Sequence, residues 1–196
     1  MRPQKLMPRV FIGLGNPGKR YTRNRHNLGY QVLDKLSDKY ELIDFKKHAK
    51  VSGVFIKTNL RDKEIILFKP SKFMNESGHS VSQLIQFYKL KPEDICVIHD
   101  DLDIEPGNLQ LKFGGGHAGH NGLRDIIKCC GSSDFTRIRI GIGHPSKGEV
   151  IDYVLKNPSQ NDKDKIKASK LDAIESIEII LAVSYTHLTL PTILLV

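Results

Sequence analysis

The sequence contains few cysteines, no recognisable targeting segment and no long hydrophobic run. Only three of its 196 residues are cysteine, and two of these, Cys129 and Cys130, are adjacent. An odd number of cysteines without a spacing pattern argues against a disulfide framework and favours a reducing compartment. The apolar residues 11–13 that follow the basic N-terminus are too few for the core of a signal peptide. We therefore expect a cytoplasmic protein with no membrane association.

The motifs that usually bind nucleotides are absent or incomplete. No G-x-x-x-x-G-K-[ST] segment occurs, which excludes a P-loop. Residues 13–18, Gly-Leu-Gly-Asn-Pro-Gly, satisfy the dinucleotide fingerprint G-x-G-x-x-G. That fingerprint needs a helix that begins within the glycines and presents free N–H groups to a pyrophosphate. Pro17 removes one such donor and a basic polar loop follows it, so we predict no dinucleotide site.

The excess positive charge lies in the N-terminal quarter of the chain. Residues 1–50 contain 12 Lys or Arg and 4 Asp or Glu, whereas residues 51–196 contain 18 of each. A basic region beside a balanced remainder favours a phosphate-rich partner, and a solvated basic face is the alternative. Residues 19–25 interleave Tyr21 with cations, which favours a nucleic acid.

Segments with strand and helix patterns alternate along a chain whose length is typical of one domain. Ile138 and Ile140, for example, alternate with Arg137 and Arg139, which predicts a strand. Strands that alternate with helices indicate an α/β fold. We predict a single domain with a mixed, largely parallel twisted sheet and helices on both faces.

Local patterns also predict the bounds of several elements. Strands over residues 51–57 and 64–69 flank a predicted turn at 59–62. Asn27 is the predicted N-cap of the helix that follows it. A last charged helix over residues 162–180 is predicted to bury four apolar side chains: Leu171, Ile174, Ile177 and Ile180.

The last sixteen residues differ from the rest of the chain. Residues 181–196 contain no Lys, Arg, Asp or Glu and lose the helical period. They are too short and too interrupted for a membrane span. We interpret residues 1–180 as the domain and residues 181–196 as an atypical tail foreign to the native gene; a native hydrophobic extension is the alternative.

Glycine occupies five of the nine positions 114–122. Glycine loses backbone entropy in helices and strands alike, and it is used where the backbone must approach something closely. His117, His120 and Asn121 are embedded in this stretch, just before a helical pattern. A flexible linker would carry serine or charge there. We predict a loop that forms part of a site, with a plain turn as the alternative.

Two segments carry groups suited to acid–base chemistry. His26 ends the basic loop at the start of a helix, where the helix N-terminus favours the neutral imidazole that a general base needs. Asp100 follows the buried strand 95–99, at the sheet edge where open α/β folds bind ligands. The acidic cluster at 100–103 suits either Mg²⁺ or the orientation of a histidine by one carboxylate. A surface histidine and a solvated turn are the alternatives.

A third segment, residues 69–78, also follows a predicted strand. Its apolar residues Phe73 and Met74 stand beside Asn75. An apolar wall next to one carboxamide is typical of a ligand pocket, so we predict that all three line a substrate site.

Six segments of the chain, taken in order, resemble the bacterial peptidyl-tRNA hydrolase family. They are Phe-Ile-Gly-Leu-Gly-Asn-Pro-Gly-Lys-Arg-Tyr (11–21), Arg-His-Asn (25–27), Phe-Met-Asn-Glu-Ser-Gly (73–78), His-Asp-Asp-Leu-Asp (99–103), Gly-Gly-Gly-His-Ala-Gly-His-Asn-Gly-Leu (114–123) and Arg-Ile-Arg-Ile-Gly-Ile-Gly-His-Pro (137–145). The resemblance covers roughly residues 9–180. Lys72 departs from it, since the family usually has threonine there, and the tail has no family counterpart.

The resemblance implies hydrolysis of the ester that joins a peptide to the 3′ end of tRNA. It implies that His26 is the base that activates a water and that Asp100 accepts the other N–H of this imidazole. Asn75 and Asn121 then supply amide donors to the carbonyl or to the water. No metal, cofactor or nucleophilic side chain is implied.

The resemblance also implies contacts with the substrate. Asn16 is similar to the residue that distinguishes a blocked peptide N-terminus from a free amine, and we expect its carboxamide oxygen to accept the hydrogen bond. Tyr21 and Phe73 correspond to contacts near the tRNA 3′ terminus, and Lys112 and Arg139 to contacts with phosphates of the acceptor end. We expect a monomer.

The roles of three histidines stay open. Packing within the glycine-rich loop is the expectation for His117 and His120, and His144 has no assigned role.

Two other functions are compatible with parts of the sequence. One is a non-catalytic RNA-binding relative with the same fold, similar to the plant organellar intron-splicing factors. Loss of the base or of the RNA-contacting residues would indicate it, but His26, Asp100 and Asn121 are all present. The other is a metal-assisted hydrolase built on the acidic cluster, which sensitivity to a chelator would reveal.

Overall fold

The computed structural model describes residues 8–47, 49–146 and 149–182. These ranges contain seven strands: β1 (Val10–Gly13), β2 (Lys46–Lys47), β3 (Gly53–Leu60), β4 (Lys63–Pro70), β5 (Ile95–Asp101), β6 (Leu109–Phe113) and β7 (Thr136–Gly141). They also contain five α-helices: α1 (Leu28–Lys39), α2 (Ser77–Tyr88), α3 (Asn121–Cys130), α4 (Val150–Val154) and α5 (Gln160–Ala182). The prediction about the tail, residues 181–196, concerns almost only positions outside the described residues.

The seven strands form one mixed sheet in the order β2-β3-β4-β1-β5-β7-β6. The central pairs β4–β1, β1–β5 and β5–β7 are parallel, whereas the flanking pairs β2–β3, β3–β4 and β6–β7 are antiparallel. The predicted α/β class with a mixed sheet is therefore confirmed, with the parallel pairing concentrated at the centre.

Helices cover both faces of this sheet. In β1, Phe11 points into the core beneath α1 and α5, whereas Val10 and Ile12 point into the core beneath α2 and α3. Successive strand residues face opposite sides, so an unbroken run of apolar residues is what a strand buried on both faces requires. None of the described helices is long and apolar enough to cross a membrane.

Glycine allows α1 to lie directly against the ends of β1 and β5. A Cβ atom on Gly29 would lie 2.2 Å from the Leu14 nitrogen and 2.3 Å from the Ile98 oxygen. On the strand side, a Cβ on Gly13 would lie 2.3 Å from the Gly29 oxygen. The start of α1 is thereby held beside the carboxyl ends of the two central strands.

The bounds of the first hairpin differ from those predicted. Strand β3 begins at Gly53 and runs to Leu60, so part of the predicted turn is strand. The turn consists of Arg61 and Asp62, with φ values of 49° and 60°. Two residues with positive φ are the connection that matches the twist of paired strands. The predicted turn contained both residues but was two residues too long, because Asn59 pairs with Glu64 and Leu60 pairs with Lys63.

The predicted burial of α5 is wrong at one position. Ile174 and Ile177 are buried and Ile180 is partly buried, but Leu171 is 49% exposed. At about 100° per residue, Leu171 lies roughly 140° around the helix from Ile166, which is buried. It therefore faces away from the buried stripe.

We expect Gly29→Ala to destabilise the domain, because its methyl group would push α1 away from the sheet. Overpacking of this kind costs about 1–3 kcal/mol in the free energy of unfolding. Thermal and urea denaturation measure it. Gly116→Ala is the matched control, since no atom lies within 4 Å of a Cβ there. Equal stability of the two variants would contradict the close packing of α1.

Candidate active site

A cleft of about 540 Å³ lies at the carboxyl ends of β1 and β5. Eight of the ten site residues predicted from the sequence line it: Asn16, Tyr21, His26, Phe73, Met74, Asn75, Asp100 and Asn121. An apolar wall of the cleft includes Val150, Ile151, Val154 and Leu155 from α4 and the residue after it. The carboxyl ends of the central parallel strands therefore meet a cleft that combines polar site residues with an apolar wall.

His26 and Asp100 form a buried pair at this cleft. His26 belongs to a single turn of 3₁₀ helix, Arg25–Asn27, which leads into α1. Its Nδ1 lies 3.0 Å from each carboxylate oxygen of Asp100 in β5. A carboxylate only accepts hydrogen bonds, so Nδ1 carries the proton and Nε2 keeps a free lone pair. This is the arrangement of a histidine that acts as a base.

The pKa of His26 is raised, which is opposite to the expectation from the helix N-terminus. Burial lowers the pKa of this imidazole, but the charge and the hydrogen bond of Asp100 outweigh that effect. The imidazole is 8% exposed rather than directed into solvent. The neighbouring carboxylate therefore controls its protonation.

His120 is a second imidazole on the same carboxylate. Its Nε2 lies 3.2 Å from Asp100 Oδ1, and its Nδ1 accepts a hydrogen bond from the backbone N–H of Leu123. Because Nδ1 is an acceptor, the proton is on Nε2 and the ring is neutral. Burial lowers the pKa of His120, although Asp100 raises it.

Asp100 is thus anionic between two imidazoles. Burial raises the pKa of this carboxyl, but its electrostatic interactions and hydrogen bonds with His26 and His120 dominate, so its pKa is lowered well below the usual range. A buried charge is stable only when it is paired and hydrogen-bonded. Its backbone oxygen also accepts a 2.7 Å hydrogen bond from His99 Nδ1. Burial lowers the pKa of His99 to about 3, so that imidazole is neutral.

The contact of His120 with Asp100 is a site feature that the sequence interpretation left open. The N-cap role of His120 had a signal in the sequence, because residue 120 lies three positions before Leu123, the first apolar residue of α3. The contact with Asp100 had none, because it depends on the approach of the loop to β5 in three dimensions. His117 lines the cleft and accepts a hydrogen bond from the backbone N–H of Gly119.

Of the other two carboxylates of the acidic cluster, Asp101 also lines the cleft, whereas Asp103 does not. Asp101 accepts a 2.8 Å hydrogen bond from Arg139 Nε, and Asp103 lies 2.9 Å from the exposed imidazole of His144. The metal-ligating atoms that do converge belong to His26, Asp100 and His120, all within 4.8 Å of one another. In the hydrogen-bonded arrangement, the ring nitrogens that face the carboxylate carry protons, so this arrangement and a metal compete for the same atoms.

Asn16 is fixed by backbone contacts on both sides. Its backbone N–H donates to Asn27 Oδ1, and its backbone oxygen accepts from Asn27 Nδ2, each at 2.9 Å. Its own side-chain oxygen accepts a 2.7 Å hydrogen bond from the backbone N–H of Met74. Asn27 is the residue before α1, as predicted, but its side chain holds Asn16 and does not cap the helix. One lone pair of the Asn16 carboxamide oxygen is thus engaged, and the amide Nδ2 has no partner within the part of the chain that the structure describes.

Asn75 and Asn121 stand on two helix starts around the cleft. Asn75 lies in the 3₁₀ turn Met74–Glu76 before α2, and Asn121 is the first residue of α3. Both are exposed, and their carboxamides form no hydrogen bond within the described residues. Their donors are therefore available to a ligand.

The mouth of the cleft carries aromatic rings and a cation. Tyr21 and Phe73 meet edge to face with their ring centroids 6.3 Å apart, and Phe73 is 47% exposed. The guanidinium of Arg20 lies 4.6 Å from the centroid of Tyr21. Exposed aromatic faces beside cations are suited to stacked bases and phosphates.

Lys112 and Arg139 are the two predicted site residues that do not line the cleft. Lys112 lies on β6, and Arg139 lies on the adjacent strand β7. Arg139 donates to Asp101, as described above, and to Gln110 Oε1 at 2.9 Å. Any contact of these residues with a ligand is therefore outside the cleft.

The chain is similar to known proteins over most of its length. The family profile described as "Peptidyl-tRNA hydrolase" matches residues 10–189. The peptidyl-tRNA hydrolase of Neisseria meningitidis serogroup A is 45% identical over 175 residues, which cover 89% of this chain and 91% of that protein. The peptidyl-tRNA hydrolase of Ruthia magnifica is 43% identical over 87% of this chain and 89% of its own length.

A solved structure shares the fold. The crystal structure of peptidyl-tRNA hydrolase from Acinetobacter baumannii superposes with a TM-score of 0.84 at 38% identity, covering 89% of this chain and 88% of that one. The fold and these relatives define a hydrolase built on a mixed α/β sheet. The chain belongs to the peptidyl-tRNA hydrolase family.

Replacing Asp100 by asparagine tests the pairing with His26. The variant keeps the shape of the side chain but loses the charge that raises the pKa of His26, while burial still lowers that pKa. An imidazole can act as a base only in its neutral form. Because the pKa of His26 falls in the variant, the acidic limb of the pH–rate profile should move to lower pH. Turnover should fall about 10²- to 10⁴-fold, since the imidazolium loses its partner. A profile with an unchanged acidic limb would contradict the pairing.

Proposed function

We propose that the chain hydrolyses the ester bond between a peptide and tRNA, with His26 as the general base. Nε2 of His26 takes a proton from a water whose oxygen attacks the ester carbonyl. Asp100 stabilises the imidazolium, which then returns the proton to the departing 3′ oxygen of the tRNA. The products are a peptide with a free carboxyl group and a tRNA with a free hydroxyl group. The observation that carries the proposal is the buried pair, with Nδ1 of His26 3.0 Å from Asp100.

Asn75 and Asn121 are proposed to stabilise the charge that develops on the carbonyl oxygen. Both line the cleft with unpaired carboxamides, on two different helix starts. A donor that meets an oxyanion in a preorganised site contributes about 3 kcal/mol to the transition state. The helices fix the backbone at these two positions, which favours such preorganisation.

Asn16 is proposed to recognise the acyl group that blocks the peptide N-terminus. Its side-chain oxygen is bonded to the backbone of Met74, so Nδ2 is the group offered to the substrate. We propose this donor in place of the expected oxygen acceptor, because the hydrogen bond to Met74 directs the oxygen toward the backbone. The amide donates instead to a carbonyl oxygen, which a blocked residue has on its nitrogen and a free amine lacks.

The proposed partner is the acceptor end of peptidyl-tRNA and its 3′ terminus. Tyr21 and Phe73 offer aromatic faces at the mouth of the cleft, and Lys112 and Arg139 are the proposed phosphate contacts outside it. Contacts between cations and phosphates release counterions, so binding should weaken as salt increases. We propose that the protein acts as a cytoplasmic monomer.

Removal of the base is the direct test of this mechanism. His26→Ala should leave the fold intact and reduce turnover of N-acetyl-aminoacyl-tRNA at least about a hundredfold, the lower range for a general base. His79→Ala, which alters an exposed histidine of α2, is the matched control. Both proteins are assayed with and without EDTA, which should not affect the rate. More than a tenth of wild-type activity in the His26 variant would contradict the proposal.

Asn16→Asp tests the discrimination between blocked and free substrates. The aspartate still accepts the hydrogen bond from Met74, but it presents an anionic acceptor to the cleft in place of the Nδ2 donor. It should repel the carbonyl of a blocked substrate and attract the ammonium of a free one. The ratio of kcat/KM for N-acetyl-aminoacyl-tRNA over aminoacyl-tRNA should fall. Asn59→Asp, an exposed change on β3, is the control, and an unaltered ratio in a folded, active Asn16 variant would remove Asn16 from this role.

A further inference from the structure

Arg25, the residue before His26, is almost completely buried, with 5% of its side chain exposed. Its guanidinium lies 4.0 Å from the ring centroid of Tyr153. Nη1 donates to the backbone oxygens of Tyr153, Lys156 and Asn157 at 3.4, 3.4 and 2.8 Å. Nη2 lies 3.4 Å from Asp162 Oδ2 near the start of α5. One cation is thus surrounded by a segment that lies more than 125 residues away along the chain.

That segment carries the apolar wall of the cleft. Its residues Val150, Ile151, Val154 and Leu155 line the cleft, and the oxygens that Arg25 binds belong to residues 153, 156 and 157 of the same segment. Two lining residues, Val150 and Ile151, are 42% and 61% exposed. A short helix with an exposed apolar face packs weakly by itself. Charge-assisted hydrogen bonds from a buried guanidinium therefore contribute much of what holds this wall in place.

The backbone of Arg25 is attached to the same segment. Its N–H donates to the Lys156 oxygen at 3.1 Å. Arg25 and His26 are neighbours in one turn of 3₁₀ helix. The residue that holds the wall is therefore joined directly to the residue that carries the imidazole. A displacement of either one changes the position of the other.

We propose that Arg25 is a positioning residue that aligns His26 with the apolar wall of the cleft. This inference rests on the proposed role of His26 as the base. Substrate contacts at the wall and proton transfer at Nε2 then depend on one buried side chain. Loss of the N–H donors of the Arg25 guanidinium should slow the chemical step more than it weakens substrate binding. Binding also depends on the aromatic residues at the mouth of the cleft, which the substitution leaves in place.

A matched pair of arginines separates positioning from ordinary stabilisation. Arg9 also lies 3.4 Å from a carboxylate, that of Asp94, but 60% of its side chain is exposed and it precedes the amino end of β1, away from the cleft. Arg25→Gln and Arg25→Lys are compared with Arg9→Gln for kcat and KM on N-acetyl-aminoacyl-tRNA. Circular dichroism and thermal denaturation establish that each variant is folded. Amide hydrogen exchange over residues 150–157 reports the wall.

For Arg25→Gln we expect about a tenfold lower kcat, a KM within threefold of wild type and faster exchange over residues 150–157. Arg25→Lys should lie between that variant and wild type, because an ammonium replaces the planar fork by a point charge. Arg9→Gln should stay within twofold of wild type in kcat. A fall in kcat of less than threefold in folded Arg25→Gln overturns the inference, as does a KM that rises by more than kcat falls.

Two further outcomes need separate interpretation: an Arg25 variant that does not fold, and a His26 variant that stays active. If Arg25→Gln does not fold, Arg25→Lys decides alone, and a kcat equal to that of wild type overturns the inference. If His26→Ala retains activity, the proposed base is wrong, whatever Arg25 does. If His26→Ala is inactive but Arg25→Gln keeps the kcat of wild type, the proposed function stands and only the positioning role of Arg25 is removed.

Discussion

The buried carboxylate of Asp100 is the constraint on which the site depends. It lies at the end of a central strand with 3% of its surface exposed, where an isolated charge would be strongly unfavourable. Two imidazoles satisfy it, and each is thereby held in one tautomer. The same hydrogen bonds that stabilise the charge leave Nε2 of His26 free to accept a proton. Stability of the core and readiness for acid–base chemistry therefore come from one set of contacts.

The fold brings the two imidazole partners of Asp100 to it from two other parts of the chain. Gly29 and Gly13 let α1 approach β1 and β5, which places the turn containing His26 beside the carboxylate. The glycine-rich loop, with positive φ at Gly114, Gly115 and Gly119, brings His120 from the other side. Close packing against backbone accounts for Gly13 and Gly29, whereas positive φ accounts for the three glycines of the loop. Asn16 and Asn27 then tie the first loop to the start of α1.

The class of fold follows from local patterns in the sequence, whereas several residues that line the cleft, such as Asn16 and Tyr21, were predicted from the family resemblance. The alternation in β7, the glycine-rich loop and the polar residues after β5 are readable residue by residue. What the sequence did not predict depends on distant contacts. The raised pKa of His26 arises from a carboxylate 74 positions away, and the roles of Arg25, Asn27 and His120 each require two segments to meet. Leu171 was misplaced because a continuous apolar pattern does not fix which stripe of a helix is covered.

The tautomers of the two imidazoles are the most direct test of this account. Nitrogen-15 NMR of histidine-labelled protein, recorded at a pH above the pKa of His26, distinguishes Nδ1–H from Nε2–H for each ring. We predict the proton of His26 on Nδ1 and that of His120 on Nε2, both within hydrogen-bond reach of Asp100, and a change at both rings in Asp100→Asn. A proton on Nε2 of His26 in the resting enzyme would contradict the account, because the nitrogen that faces the cleft would then have no lone pair with which to accept a proton from water.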